Sequence, residues 1–151
     1  MVRSTLGSNV ITQVAIVVRD IEKTARAFAD VFGLEMPEVR LTAPQEEAHT
    51  LYRGEPTPAR AKLAFFHMGS VTLELIEPVD GPSTWREFLD THGEGIHHVA
   101  FNVDGMKDAI AFLESKGMTT VQTGEFTGGR YAYIDATGQL GAILELLEHD
   151  Q

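Results

Sequence analysis

The feature that most narrows the fold of this chain is an internal repeat. ITQVAIVVRDIEKTARAF, residues 11–28, lies over IHHVAFNVDGMKDAIAF, residues 96–112, with one residue inserted in the first helix. Further on, LELIE (residues 73–77) lies over LELLE (residues 144–148). The period is too long, and the copy number too low, for a solenoid. Two copies of strand, helix and then three strands predict two curved modules related by an approximate twofold axis, the first over 10–80 and the second over 94–149. Residues 81–93 form a short helical linker between them, and residues 1–9, polar and without periodicity, read as a flexible N-terminus.

Within each copy the local signals agree with that division. Asp20 is placed to cap a helix that ends at Gly33, with Ile21, Ala25, Phe28 and Phe32 at helical spacing. Residues 62–68 and 71–77 read as a hairpin around Gly69 and Ser70. Thr84 and Glu87 have the spacing of a capping box, which predicts a helix ending at Gly93. In the second copy Asp104 is the expected cap for a helix over 106–116, and TGEFTGGR (residues 123–130) reads as a glycine-rich loop.

The repeat also pairs chemistry-bearing residues. Gln13 becomes the counterpart of His98, and Glu74 the counterpart of Glu145. In a strand successive side chains alternate faces, and each of these four falls on the polar face of its strand. Val14, Leu73, Leu75, Leu144 and Leu146 occupy the opposite faces. With helices covering the apolar faces, all four polar residues project into the opposite, concave space. Two carboxylates aimed into one hollow repel each other and are costly to desolvate; a divalent cation resolves both problems. Gln13, Glu74, His98 and Glu145 are therefore read as ligands of one divalent metal ion. That set suits zinc, cobalt, nickel, manganese or iron(II), and six-coordination would leave two positions for water or substrate oxygens. His97, of the other parity, reads as a core residue or as support for the ligands.

Composition excludes other classes. The chain has no cysteine, which removes disulfides, thiolate metal sites and cysteine nucleophiles and fits a cytoplasmic location. A formal charge of −10 disfavours nucleic acid as a partner. No apolar run is long enough to span a membrane. Arg130, in the loop before a late strand, is the expected holder of a substrate carboxylate or phosphate.

FLDTHGEGIHHVAFNVDG, LELIEP and AILELLE resemble the vicinal-oxygen-chelate (glyoxalase/bleomycin resistance) superfamily, and within it the methylmalonyl-CoA epimerase and glyoxalase I branch. The resemblance runs from about residue 10 to residue 148. It implies an α+β fold of paired βαβββ modules forming a cupped, barrel-like mixed sheet with helices on the outer face, usually in a homodimer. It also implies one divalent metal bound by the same four residues. The implied chemistry is proton abstraction next to a carbonyl, with the metal chelating two oxygens of the substrate and stabilising the enediolate. Glu145 is the expected base and Glu74 its partner for the opposite face, acting on an acyl thioester or a 2-oxo compound.

Departures from the branch leave alternatives open. Gln13 stands where epimerases usually carry histidine, as in glyoxalases, which keeps a lactoylglutathione lyase of the glyoxalase I kind in play. Asp135, Ala136 and Thr137 replace an HPK-like segment of the epimerases. A metal-free binding protein of the bleomycin-resistance kind is the third alternative.

Overall fold

A computed structural model describes residues 3–151; the first two residues of the expected flexible N-terminus lie outside the described part. The elements in chain order are β1 (Gln13–Val17), α1 (Ile21–Phe32), β2 (Arg40–Leu41), α2 (Gln45–Ala48), β3 (Leu51–Tyr52), β4 (Glu55–Pro56), β5 (Arg60–Met68) and β6 (Val71–Val79). They continue with α3 (Thr84–His92), β7 (Gly95–Asn102), α4 (Met106–Ser115), β8 (Thr119–Phe126), β9 (Gly129–Ala136), α5 (Thr137–Leu140) and β10 (Ala142–His149). All the strands join one mixed sheet in the order β2-β5-β6-β1-β7-β10-β9-β8-β3-β4.

The seam of this sheet is the antiparallel pair β1–β7, and reading outward from it gives the same sequence twice. On one side β6, β5 and β2 follow β1; on the other β10, β9 and β8 follow β7. The register carries the twofold relation down to single residues. Gln13 lies opposite Ala100 and Ala15 opposite His98, so the two pairs exchange when Gln13 is laid on His98. In the parallel neighbours, Ala15 lies beside Glu74 and Ala100 beside Glu145. The paired βαβββ modules and their cupped mixed sheet are thus present. Segment 43–57 breaks the symmetry: β3 of the first module crosses over to pair with β8 of the second.

Two helices, α1 and α4, cover the outer face. Ile21, Ala25 and Ala29 of α1 pack on Leu75 and Phe66, while Met106, Ala109 and Leu113 of α4 pack on Leu144, Leu146 and Ile134. The linker helix α3 departs from the expected outer-face placement: its Trp85 and Leu89 pack on Ala15, Val17, Ile76 and Tyr133, which lie on the concave face with Gln13, Glu74 and Glu145. The N-terminal residues dock on the second module: Leu6 packs against the α4 core, and Arg3 bonds the carbonyl of Asp104.

Capping follows the sequence at α1, where the Asp20 side chain accepts from the Lys23 N–H and Gly33 closes the helix at φ 66°. The helix α3 ends at Gly93 as expected, but its N-cap and that of α4 differ from expectation. At α3 the cap is Ser83, accepting from the Arg86 N–H. The Thr84 N–H and hydroxyl instead bond Gln122. At α4 the N-cap position is Gly105, in the left-handed region, and Asp104 does not cap. The orphan N–H groups are taken by Glu148, whose Oε2 lies 2.7 Å from the Gly105 nitrogen and 3.0 Å from that of Met106. Its repeat counterpart Glu77 does the same at α1, accepting from the Ile21 N–H at 2.9 Å. The last glutamates of LELIE and LELLE are thus helix caps supplied from the neighbouring strand.

The stretch read as a glycine-rich loop is mostly strand. β8 runs through Phe126 and turns at Thr127 and Gly128, the latter at φ 92°. Gly124 lies inside β8 because the Tyr131 ring occupies the space a side chain would need: an added Cβ would come within 2.5 Å of Tyr131 Cε1. In strands such a glycine marks close approach as readily as a turn.

Candidate metal centre

The four residues proposed as ligands are carried by the four central strands. Gln13 sits on β1, Glu74 on β6, His98 on β7 and Glu145 on β10. Glu74, Glu145 and Gln13 line a cavity of about 520 Å³ in the concave face. His98 Nε2 lies 3.1 Å from Glu145 Oε1 and 3.5 Å from Glu74 Oε1. All three residues are buried, with exposures of 7% for Glu74, 1% for His98 and 5% for Glu145. Their candidate ligand atoms fall within 4.8 Å of one another.

The decisive detail is what these atoms lack. Glu74 Oε1, His98 Nε2 and Glu145 Oε1 have no hydrogen-bond partner despite full burial. The His98 contacts are short enough for ion pairing, yet not aligned as hydrogen bonds. Orphaned buried polar atoms are rare and costly, about 1–3 kcal/mol each, and here three of them converge. A buried Glu–His–Glu group of this kind can bind a metal ion, and the donor set, two carboxylate oxygens and one imidazole, fits a divalent one.

Charge in the cluster is shared unequally. Burial works against a charge on His98, but Glu145 and then Glu74 outweigh it and lift its pKa to about 9. Burial pushes the Glu74 carboxyl up, opposed by the nearby His98 and helped by the charge on Glu145.

His97 stands behind the cluster. The β1–β7 register slips so that Ala15 faces His98 but Ile16 faces Ile96, leaving His97 as the extra residue of a β-bulge. The bulge buries both histidines, with His97 Nδ1 2.8 Å from His98 Nδ1. Burial, and then the charge on His98, hold His97 well below the ordinary histidine range. It therefore stays neutral and accepts from His98, which leaves His98 Nε2 facing the carboxylates.

Arg130 does not join this set. It lies opposite Glu148 in the β9–β10 register, on the face turned from Glu145. Its guanidinium is engaged by Glu148 at 2.7 Å and by Asp150. The arginine that lines the cavity is Arg40, on the edge strand β2 of the first module. Sequence reading also passed over Leu63, Phe65, Tyr131 and Tyr133, which line the same space. Their strand parity relative to Glu74 and Glu145 was the signal available, and it needed the hairpin register to be used.

Residues 12–133 match the Glyoxalase/Bleomycin resistance protein/Dioxygenase superfamily. The chain belongs to that superfamily. Among curated relatives, the uncharacterized protein YqjC of Bacillus subtilis (strain 168) is 32% identical over 92 residues, covering 59% of this chain and 66% of that protein. The mitochondrial methylmalonyl-CoA epimerase of Mus musculus is 28% identical over 108 residues, covering 70% of this chain. The aligned part spans about half, 52%, of that enzyme. Among solved structures, methylmalonyl-CoA epimerase from Mycobacterium tuberculosis superposes with a TM-score of 0.65 at 21% identity, over 100% of this chain and 94% of that one. A methylmalonyl-CoA epimerase in complex with methylmalonyl-CoA and NH4+ superposes with a TM-score of 0.61 at 20% identity, over 92% and 93% of the two chains. At these identities the superpositions establish the shared fold. Among the described residues no helix is long and apolar enough to cross a membrane.

Proposed function

We propose that this protein is an isomerase of the epimerase type, which removes and returns the proton next to a carbonyl in an acyl thioester or a 2-oxo compound with the help of one divalent ion. The observation that carries this reading is the convergence of three buried ligand atoms without hydrogen-bond partners, with both carboxylates lining a cavity of about 520 Å³. Likeness to methylmalonyl-CoA epimerases supports it. Gln13, Glu74, His98 and Glu145 would hold the ion, which when bound supplies Lewis-acid stabilisation of negative charge on a carbonyl oxygen.

The residues themselves provide the proton chemistry. Glu145 is the base, placed in the cavity lining beside His98. Glu74, its twofold counterpart, reaches the same space from the other module and is the second carboxylate available to a substrate held at the ion. Burial has shifted Glu74 towards neutrality, which suits a carboxylate that must accept a proton and return it.

The test is solvent-deuterium incorporation at the α-carbon of acyl-thioester and 2-oxo-acid substrates by metal-reconstituted protein. Glu145→Gln should abolish exchange; exchange at the wild-type rate would remove Glu145 from the role. A second reading rests on Gln13, a residue type that the glyoxalase resemblance favours at this place. Isomerisation of methylglyoxal hemithioacetal without α-proton exchange of acyl thioesters would favour the lyase. Purified protein that takes up no divalent metal would favour a metal-free binding protein instead.

A further inference from the structure

The twofold relation that lays Glu74 on Glu145 does not equate the walls beside them. In the first module Phe65 pairs directly opposite Glu74 and Leu63 opposite Ile76. In the second, Tyr133 pairs directly opposite Glu145 and Tyr131 opposite Leu147. Residues directly opposite across antiparallel strands share a face, so each carboxylate has a wall of its own. One is flanked by two hydrocarbon side chains, the other by two phenols, and all four line the cavity.

The phenols are held so that a proton stays free. Tyr133 Oη accepts from the Trp85 indole Nε1–H at 3.0 Å, and Tyr131 Oη accepts from the Gln122 amide at 3.0 Å. An indole N–H can only donate. Trp85 therefore fixes the Tyr133 oxygen as an acceptor and leaves its O–H uncommitted. Tyr131 has the Thr50 hydroxyl beside it as a further partner, so Tyr133 is the freer donor. Phe65, across the cavity, keeps 37% of its surface exposed.

We propose that these walls divide the cavity into an oxygen-reading side, Tyr133 and Tyr131, and an apolar side, Leu63 and Phe65, which together fix which way round a small acyl substrate lies over Glu74 and Glu145. The inference rests on the metal-dependent reading above and adds the specificity. A substrate oxygen on the second-module side accepts a hydrogen bond from the Tyr133 hydroxyl. The hydrocarbon substituent lies against Phe65. A molecule with oxygens but no hydrocarbon satisfies one wall, and one lacking the oxygen leaves a buried donor unpaired, which is the stronger discrimination. Although the acids are related by symmetry, they meet the substrate from chemically different sides.

The test uses two small probes on the cobalt(II)-loaded chain: oxalate, with oxygens only, and 3-methyl-2-oxobutanoate, with similar oxygens and a branched hydrocarbon. Dissociation constants for both probes, and for cobalt itself, are measured by titration calorimetry. Tyr133→Phe should weaken both probes roughly tenfold, the effect of one hydrogen bond, with cobalt affinity unchanged. Phe65→Ser should weaken the branched probe alone. Tyr131→Phe, expected to act in the same direction more weakly, carries the donor test should Tyr133→Phe fail to fold. Wild-type affinity for both probes in the tyrosine variants overturns the assignment, as does cobalt-loaded wild type that binds neither probe. Wild-type protein that takes up no cobalt overturns the metal-dependent reading itself, and this inference with it.

Discussion

His97 Nδ1 lies 2.8 Å from His98 Nδ1, so one proton serves both nitrogens. Because His97 is held neutral and His98 is not, the proton belongs to His98, and its Nε2 is turned to Glu145 and Glu74. Support of this kind sets ligand orientation and basicity. His97→Leu should keep the fold but lower metal affinity roughly 10–100-fold, read by competition with a chromophoric chelator. Unchanged affinity would make the contact an accident of packing.

The raised pKa of His98 gives the metal a competitor. At pH 7 the metal-free imidazole, with a pKa of about 9, carries its proton as counter-ion to the two carboxylates. A ligating imidazole must be neutral, so metal binding expels that proton. The upward-shifted Glu74 acts in the same direction. At least about one proton per ion should therefore appear at pH 7, and release should fade as pH rises through about 9. Affinity should climb with pH and level off above that point. Calorimetry in two buffers of different ionisation enthalpy measures the release, and a pH-independent affinity would contradict the arrangement.

Much of this site was legible because duplication doubles every signal. Glu74 and Glu145 stand out only when LELIE is laid on LELLE, and the sheet register then carries Gln13 to His98 residue by residue. What escaped lay in features without a repeat or a local pattern. The bulge at His97 depends on how β1 and β7 slide past each other, which no single strand encodes. Arg130 sits one residue from Tyr131, so its parity turns it to Glu148 and away from the cavity. Gly124 resembled a loop residue because close approach by an aromatic ring and a turn both call for glycine. The cap at α4 is supplied by Glu148, distant in sequence, so Asp104 looked sufficient on its own.

That distant capping is itself testable. Glu77 accepts from the Ile21 N–H at 2.9 Å and faces the helix side of the sheet, away from Glu74. Glu77→Ala should lower unfolding free energy by about 1 kcal/mol, the usual effect of losing an N-terminal cap, while metal affinity stays at the wild-type value. Denaturant titration with parallel metal binding separates the two effects. A loss of metal affinity without loss of stability would place Glu77 in the site after all.

Gly124 links the backbone to the oxygen-reading wall. Its missing side chain leaves room for Tyr131, whose Cζ and Oη would each lie 2.8 Å from an added Cβ. The ring is half-buried and its hydroxyl is held by Gln122, so it cannot swing clear without giving up that bond. Gly124→Ala should therefore cost about 1–3 kcal/mol, the usual range for overpacking, measured by denaturant titration. It should also displace Tyr131 and so weaken oxalate binding, while metal affinity holds because Glu74, His98 and Glu145 sit on other strands. The double variant Gly124→Ala/Tyr131→Leu removes the clashing ring and should regain most of the lost stability without regaining oxalate affinity. If stability does not return, the strain lies elsewhere in the β8–β9 hairpin.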